Sequence, residues 1–373
     1  MHRKQLDGIR GAAFVCVFLV HHALDRLWYL GYALAAFFTL SGFLITRSLV
    51  QNETGEFRQD LFRFYARRWL RIFPPYYLLL VVLMFLGRLP NASWHLTYLF
   101  NLKLFLTTFW DKAVNLTPWD KPILLLSRWE DSGGHFWSLC VEEQFYLLYP
   151  LLLLACRKRF RPAMVAGLIA VSIAVRAVFM GLAGPAFYGA LLPVCGEYIL
   201  WGCLAYLLME GGFLRRFRPA QLLYAGILLA STVALFQTPH KDPILTIFFR
   251  ATHRQTLAAA GFALIVAGLW GDDGTIPARI LSLPPLPYLG RISYGLYLLH
   301  LFTFSLFDAM SARWPALQMI PPPAGRFLLT LVPAMISWHF FEEPIQRFGA
   351  RFRRKSAVRS ERLSAPLGLD QGA

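Results

Sequence analysis

The sequence contains ten apolar stretches, most of them near the ~20 residues that a helix needs to cross a bilayer. Hydrophobic residues make up 57% of the 373 residues and charged residues only 16%, which favours a membrane protein over a water-soluble one. The pattern predicts an all-α polytopic membrane protein, a bundle of about ten transmembrane helices. The predicted spans are 9–27, 29–50, 72–89, 136–156, 162–182, 186–209, 221–237, 255–270, 286–310 and 325–341.

The distribution of Lys and Arg predicts which way the bundle faces. The formal net charge is +16, but in a membrane protein loop cations report orientation before they suggest nucleic acid, and we expect no nucleic-acid partner. The densest basic clusters, at 47–71, 157–161, 215–218 and 347–355, all lie inside if the N-terminus is cytoplasmic. Ten spans then place the C-terminus inside too. The mildly basic outer loop at 241–254 is the exception.

Residues 1–347 form one predicted membrane domain, and residues 348–373 form a basic tail predicted to be cytoplasmic and disordered. Residues 55–77 read as an interfacial helix that leads into the third span, with Pro74 and Pro75 near the first turn of that span. The segment 95–110 is amphipathic and is predicted to lie along the outer surface. The five cysteines are scattered through apolar segments, so we read them as core residues and predict no metal site.

The first span keeps ionisable groups that a lipid-facing helix would avoid. Arg10 and His21 are eleven residues apart, about three turns plus 20°, so they share a helix face about 16 Å apart along the axis. Asp7 shares that face and could pair with Arg10. Because ionisable groups in a membrane normally face a bundle interior or a wet cavity, this face marks a candidate functional path. The alternative is that Arg10 snorkels to the headgroups and His21 is a packing residue.

Other predicted spans carry polar side chains at similar depths, which indicates a shared cavity. These are Ser41, Glu142, Glu143, Arg176, Glu197, Ser293, Tyr294, Tyr297 and His300.

Six segments in order resemble the integral membrane acyltransferase-3 family. They are "LDGIRGAAFVCVFLVHH", "FFTLSGFLIT", "RRWLRIFPPYY", "HFWSLCVEEQFYLLYP", "GRISYGLYLLHLF" and "FEEPIQR", and they run from Leu6 to Arg347. The resemblance implies ten helices and transfer of an acyl group, often acetyl, from cytoplasmic acyl-CoA to a carbohydrate or other acceptor across the membrane. The chain resembles stand-alone polysaccharide O-acetyltransferases without an appended SGNH domain, and the resemblance implies a bacterial inner membrane.

The cofactor expected from this resemblance is acyl-CoA, acting as donor substrate without a metal. Arg67, Arg68 and Arg71 offer forked donors suited to its phosphates, and Arg68 and Arg71 match the RxxR motif of the family. The alternative is that this cluster anchors the protein to anionic lipid.

The chemistry implied by acyl transfer to a hydroxyl requires a base, and His21 is the best candidate because a buried imidazole stays neutral and accepts protons. Arg10 matches a functional arginine of the family, either binding CoA or stabilising negative charge. Glu142 or Glu143 could orient the imidazole, as an acidic group does in catalytic triads. They are about 100° apart on a helix, so both cannot face His21 equally, and we favour Glu142.

The remaining candidates are substrate-binding residues. Ser41 could instead be a covalent acyl carrier or a packing residue, an acyl-His21 intermediate is possible, and direct transfer is the default. The aromatic residues Trp129, Phe136 and Trp137 could stack on a sugar or form an interfacial belt. The substrate-binding set is Glu143, Ser41, Tyr294, Tyr297, His300 and Trp137.

Two other functions would also suit a polar path through a membrane bundle. A transporter or glycan flippase needs charged residues in its spans, but we find no internal repeat or paired broken helices. A non-catalytic partner of polysaccharide-assembly proteins would keep the fold without needing Arg10 and His21. An acyltransferase, which could itself associate with such proteins, is therefore favoured, with its acceptor undetermined.

Overall fold

A computed structural model describes residues 3–22, 28–113, 133–183, 190–235, 255–271 and 274–349. These residues form helices and no strands, which confirms the all-α class, and each of the ten predicted spans contains a helix. The α-helices are α1 Lys4–His22, α2 Ala33–Asn52, α3 Phe57–Phe85, α4 Ala92–Leu96, α5 Phe100–Ala113, α6 Trp137–Ala155, α7 Arg161–Ala183, α8 Leu192–Glu210, α9 Pro219–Leu235, α10 Gln255–Gly271, α11 Ile276–Leu281, α12 Leu286–Arg291, α13 Ser293–Arg313, α14 Pro322–Ser337 and α15 Glu343–Gly349.

Seven helical segments of the described chain are long and apolar enough to cross a membrane, and α9 and α10 are shorter apolar helices. Helix α1 is not among the seven. Its 19 residues include Asp7, Arg10, His21 and His22, whose polarity offsets the apolar residues between them. These ionisable residues are expected of a helix that faces a polar interior.

Helix α3 differs from the prediction. The interfacial segment and the third span form one continuous helix of 29 residues, and Pro74 and Pro75 lie inside it rather than at its first turn. Proline is tolerated within membrane helices where neighbouring groups satisfy the disturbed backbone. The two prolines remove the helical donors for the carbonyls of Leu70 and Arg71, and the Tyr294 hydroxyl donates to the neighbouring carbonyl of Ile72, 2.8 Å away.

The segment predicted to lie along the outer surface forms α4 and α5, and α5 is held to α6 by paired amides. Asn101 Nδ2 donates to Gln144 Oε1 at 3.1 Å, and Gln144 Nε2 donates back to Asn101 Oδ1 at 2.9 Å. The predicted ninth span is also divided, because α12 ends at Arg291 and α13 begins at Ser293.

Close backbone approaches at glycines position the helices that carry polar residues. A Cβ on Gly290 of α12 would collide with the carbonyl oxygen of Asp7, and one on Gly42 of α2 would collide with that of Ile199 in α8. Small residues allow membrane helices to pack this closely. The first contact fixes the N-terminal end of α1. The second holds α2 against α8 next to Ser41.

Both ends of the described membrane domain lie on the same side, since Arg3 and Gly349 line one cavity. The tail from residue 350 and the outer loop predicted at 241–254 lie outside the described residues.

Candidate active site

Two cavities lie in the interior of the bundle and share part of their walls. The wider one has a volume of about 590 Å³ and opens beside both ends of the domain, and the narrower one has a volume of about 90 Å³ and lies between α1, α2, α3, α6 and α13. We call the wider one the outer cavity and the narrower one the inner cavity. Three side chains line both: Arg10, Arg68 and Arg71. The polar residues predicted to share a cavity are brought together only in part. The inner cavity is lined by Ser41, Glu142, Glu143, Ser293, Tyr294 and Tyr297, whereas neither cavity is lined by Arg176, Glu197, His300 or His21.

The outer cavity is strongly basic. Asp7 is the single carboxylate that the described residues contribute to its wall. The predicted cluster of Arg67, Arg68 and Arg71 is assembled there. Three further arginines complete the wall, namely Arg3, Arg10 and Arg47. The sequence reasoning assigned Arg47 only to membrane orientation. Six guanidinium groups around one cavity form a site suited to a polyanion.

The arginines at the junction differ in their contacts. Arg10 Nη1 lies 3.9 Å from Asp7 Oδ1, which confirms the predicted pairing. The Arg68 guanidinium lies 4.8 Å from the centre of the Tyr146 ring. Among the described residues Arg71 has no hydrogen bond or ion pair, so its donors remain available to a ligand. Arg67, by contrast, lines only the outer cavity and donates to Ser48 Oγ at 3.3 Å.

Glu142 faces the inner cavity rather than His21. Its Oε1 accepts from Ser41 Oγ at 3.1 Å and its Oε2 accepts from the Tyr146 hydroxyl at 2.9 Å. No hydrogen bond or ion pair joins Glu142 to His21, so the structure does not bring these two predicted residues together. Glu143 also lines the inner cavity, and its buried Oε1 has no hydrogen-bond partner in the described chain.

The aromatic candidates divide into two groups. Tyr294 and Tyr297 line the inner cavity as predicted, and the Tyr297 hydroxyl lies 2.6 Å from the carbonyl oxygen of His135. Trp137 lines neither cavity, because it packs on Phe38 with ring centres 6.4 Å apart.

The prediction that Phe136 could stack on a sugar is wrong. Its ring is fully buried against Tyr76, His95 and Phe302. Trp129 lies outside the described residues.

His21 contacts a second histidine. Its Nδ1 lies 2.9 Å from the carbonyl oxygen of Val17 and 3.2 Å from Nε2 of His300. His300 is 0% exposed, and neither His300 nor His21 lines either cavity, so the histidine pair lies beside the cavities rather than on their walls. Tyr297 connects the two regions: its ring lines the inner cavity, and its carbonyl oxygen lies 2.8 Å from His300 Nδ1.

Two features near His21 were missed from the sequence. The ring of His135 lies 4.9 Å from that of His300, and His135 belongs to the same segment as Glu142, where an ionisable residue at the start of a span was visible. His22 contacts Arg326, whose Nη1 lies 3.0 Å from His22 Nδ1 and whose Nη2 donates to Asp308 Oδ2 at 2.6 Å. The latter group marks the far end of α1, opposite the arginines.

Comparison with known proteins shows the family of this chain. The chain belongs to the acyltransferase-3 family, described as an acyltransferase domain, whose pattern it matches over residues 3–341. Two relatives carry more specific names. The O-acetyltransferase OatA of Staphylococcus aureus (strain NCTC 8325 / PS 47) is 26% identical over 377 residues, covering 92% of this chain and 57% of the relative.

The second relative, peptidoglycan O-acetyltransferase OatA of Listeria monocytogenes serovar 1/2a, is 25% identical over 371 residues, covering 92% of this chain and 56% of its own length. The chain thus spans little more than half the length of these relatives. No solved structure matches the chain significantly.

Proposed function

We propose that this chain is a membrane O-acyltransferase that moves an acyl group, most simply acetyl, from cytoplasmic acyl-CoA to a hydroxyl of a cell-surface carbohydrate or its lipid-linked precursor. The observation that carries the proposal is the pair of joined cavities. The outer one is lined by six arginines, and three of these also line the inner one, whose wall includes Tyr297, a neighbour of His300 in the His21 and His300 pair. The names of the relatives support acetyl transfer and a carbohydrate acceptor.

The outer cavity suits the nucleotide end of acyl-CoA. The phosphates of acyl-CoA are anions, and guanidinium groups bind phosphate through parallel hydrogen bonds. The positive-inside rule, applied to the basic loop clusters, supports a cytoplasmic location for this side of a chain in the bacterial inner membrane, and both ends of the described domain lie on this side. Anchoring to anionic lipid accounts less well for these arginines, because they converge on an interior cavity rather than on the rim of the bundle.

The roles of Arg10 and His21 follow from their separation on α1. Eleven residues correspond to about 16 Å along the helix, too far for Arg10 to stabilise charge on a carbonyl whose attacking hydroxyl is held by His21. Arg10 therefore binds the donor, together with Arg68 and Arg71. The acyl-bearing arm of the donor extends along the inner cavity towards Tyr297 and reaches the imidazole from there.

His21 serves as general base and then as general acid. The acceptor hydroxyl gives its proton to Nε2 of His21 as its oxygen forms a bond to the acyl carbon. The carbon–sulfur bond breaks, and the same proton passes from His21 to the sulfur to release CoA. Direct transfer of this kind uses one histidine for both proton transfers.

The proposal is tested in a strain that lacks the gene, complemented with the parent chain, with His21→Ala, or with His339→Ala as a control. His339 is a half-exposed histidine of the same membrane domain that lines neither cavity. Mass spectrometry of surface glycans measures the ester-linked acyl mass. We expect the parent and His339→Ala to restore it and His21→Ala to lack it while inserting normally.

Reconstitution distinguishes an acyltransferase from a transporter. Vesicles containing the purified chain are supplied with labelled acetyl-CoA on one side, and release of free CoA is followed. A glycan transporter would change glycan location without consuming acetyl-CoA. Full acylation by a well-inserted His21→Ala variant would refute the base assignment.

A further inference from the structure

We propose that His300 is the positioning residue for His21, a neutral imidazole that occupies the place a carboxylate takes in a Ser-His-Asp triad. This inference rests on the proposed function of His21 as base. It assigns to α13 the orienting role that the sequence assigned to Glu142 of α6.

The proton on His21 is located by its backbone contact. Nδ1 lies 2.9 Å from the carbonyl oxygen of Val17, one turn earlier in α1, and a carbonyl oxygen can only accept. Nδ1 therefore carries the proton. In the neutral ring Nε2 then holds the lone pair, and the described chain provides no hydrogen-bond partner for it. This is the nitrogen that is left to meet the acceptor hydroxyl.

The proton on His300 is located in the same way. Its Nδ1 lies 2.8 Å from the carbonyl oxygen of Tyr297, so that nitrogen is protonated and Nε2 holds the lone pair. Nε2 lies 3.2 Å from Nδ1 of His21. The His21 proton is thus shared between Val17 and His300, and every nitrogen of the pair is consistently assigned with both rings neutral.

The pair gains strength when His21 takes up a proton at Nε2. The Nδ1–H of the resulting cation then donates to His300, and a hydrogen bond to an ionised group is about twice as strong as a neutral one. The ring of His300 is buried among aromatic rings, those of Phe14 and Phe304 at 6.2 and 5.9 Å and that of His135 at 4.9 Å. A neutral acceptor avoids the cost of burying a second charge there.

The arrangement also stops the proton at His21. Nδ1 of His300 faces the carbonyl oxygen of Tyr297, which cannot pass a proton on. A proton taken from the acceptor must therefore leave through Nε2 of His21, where the sulfur of CoA is the group that receives it.

Two amide substitutions at one position separate positioning from packing. In His300→Gln the side-chain oxygen reaches the position of Nε2 and can accept from His21. In His300→Asn the shorter side chain reaches only the position of Nδ1, so it keeps the contact with the Tyr297 carbonyl and loses the contact with His21. We expect kcat to fall about 10- to 100-fold in His300→Asn, the loss of a hydrogen bond to a charged group, with an unchanged KM for acetyl-CoA. We expect His300→Gln to stay within about tenfold of the parent.

Nitrogen NMR of the parent chain, labelled at histidine and assigned with the His21→Ala and His300→Gln variants, gives a readout that does not depend on activity. Both His21 and His300 are expected to carry their protons on Nδ1. A proton on Nε2 of His300, or equal kcat values in His300→Asn and the parent, would overturn the inference. If the parent itself transfers no acyl group, the proposed function fails, and the protonation states still decide the arrangement of the pair.

Discussion

A buried ion pair joins α7 and α8 away from both cavities, and we expect it to serve stability rather than catalysis. Arg176 is 2% exposed and Glu197 is 0% exposed. Arg176 Nη1 donates to Glu197 Oε2, and Nη2 donates to Thr256 Oγ1 of α10 at 2.8 Å. Trp201 Nε1 donates to Glu197 Oε1 at 3.1 Å. The pair therefore connects three helices.

The expected size of the effect depends on whether one partner or both are removed. Arg176→Met or Glu197→Met alone leaves a buried charge without its partner, which costs about 3–5 kcal/mol of unfolding free energy. The double variant removes both charges together with the hydrogen bonds from Arg176 to Thr256 and from Trp201 to Glu197. Side-chain hydrogen bonds between membrane helices average about 0.6 kcal/mol each, so the double variant should lose about 1 kcal/mol.

The assay is a double-mutant cycle on the unfolding free energy in mixed micelles, followed by helical circular dichroism. We expect each single variant to be less stable than the double variant, and we expect the double variant to keep acyl transfer close to the parent level. Two outcomes would refute the reasoning. Additive losses would show that the charges do not interact, and an active-site defect in a stable double variant would give Glu197 a role in catalysis.

Three further predictions concern single positions. Arg71→Gln should weaken acetyl-CoA binding about 10- to 100-fold, and Arg67→Gln should weaken it less, because Arg71 lines both cavities and Arg67 lines one. Titration calorimetry measures the affinity of both variants, and equal affinities would refute the assignment. Gly42→Ala should destabilise the bundle by about 1–3 kcal/mol, measured by thermal unfolding, because its Cβ would meet a backbone carbonyl of α8. The hydrogen bond from Arg161 lowers the pKa of Glu53 in the folded protein. The contribution of this carboxylate to the unfolding free energy is therefore complete above the ordinary carboxyl pKa of about 4.3, and it is lost as pH falls through the lowered pKa. Unfolding midpoints of Glu53→Gln should therefore depend less on pH in the acid range.

Features that depend on one helix were predictable from the sequence. Hydropathy located the ten helices, and helix geometry predicted that Asp7 would meet Arg10, since residues three apart are neighbours on any α-helix. A polar cavity between several spans was predictable in part, because polar groups on several spans favour facing one another, but His21, Arg176 and Glu197 do not line it.

The partner of His21 was not predictable in this way. Analogy with catalytic triads favoured Glu142 or Glu143 as the partner of His21, and the sequence placed His300 only among the substrate-binding candidates. The outcome depends on how α1 is rotated relative to α6 and α13, which no local pattern encodes. His300 is 279 residues away in sequence. The continuity of α3 was missed for a related reason, because the proline rule applies to helices in water and neighbouring groups in the bundle relax it.

Helix α1 carries Arg10 near its N-terminal end and His21 near its C-terminal end, and a different neighbouring helix contacts each end. At the N-terminal end of α1, α12 packs so closely that a Cβ on Gly290 would collide with the backbone of Asp7. This close contact holds Arg10 at the junction of the two cavities. At the other end of α1, His21 is held by His300 of α13, directly after α12 in sequence. The separation between Arg10, proposed to bind the donor, and His21, proposed to receive the proton, is fixed by α1 itself, and the consecutive helices α12 and α13 together hold α1 in its position along the axis. A displacement of α1 along its axis would break both contacts together, so donor binding and proton transfer are expected to fail in concert when this packing is disturbed.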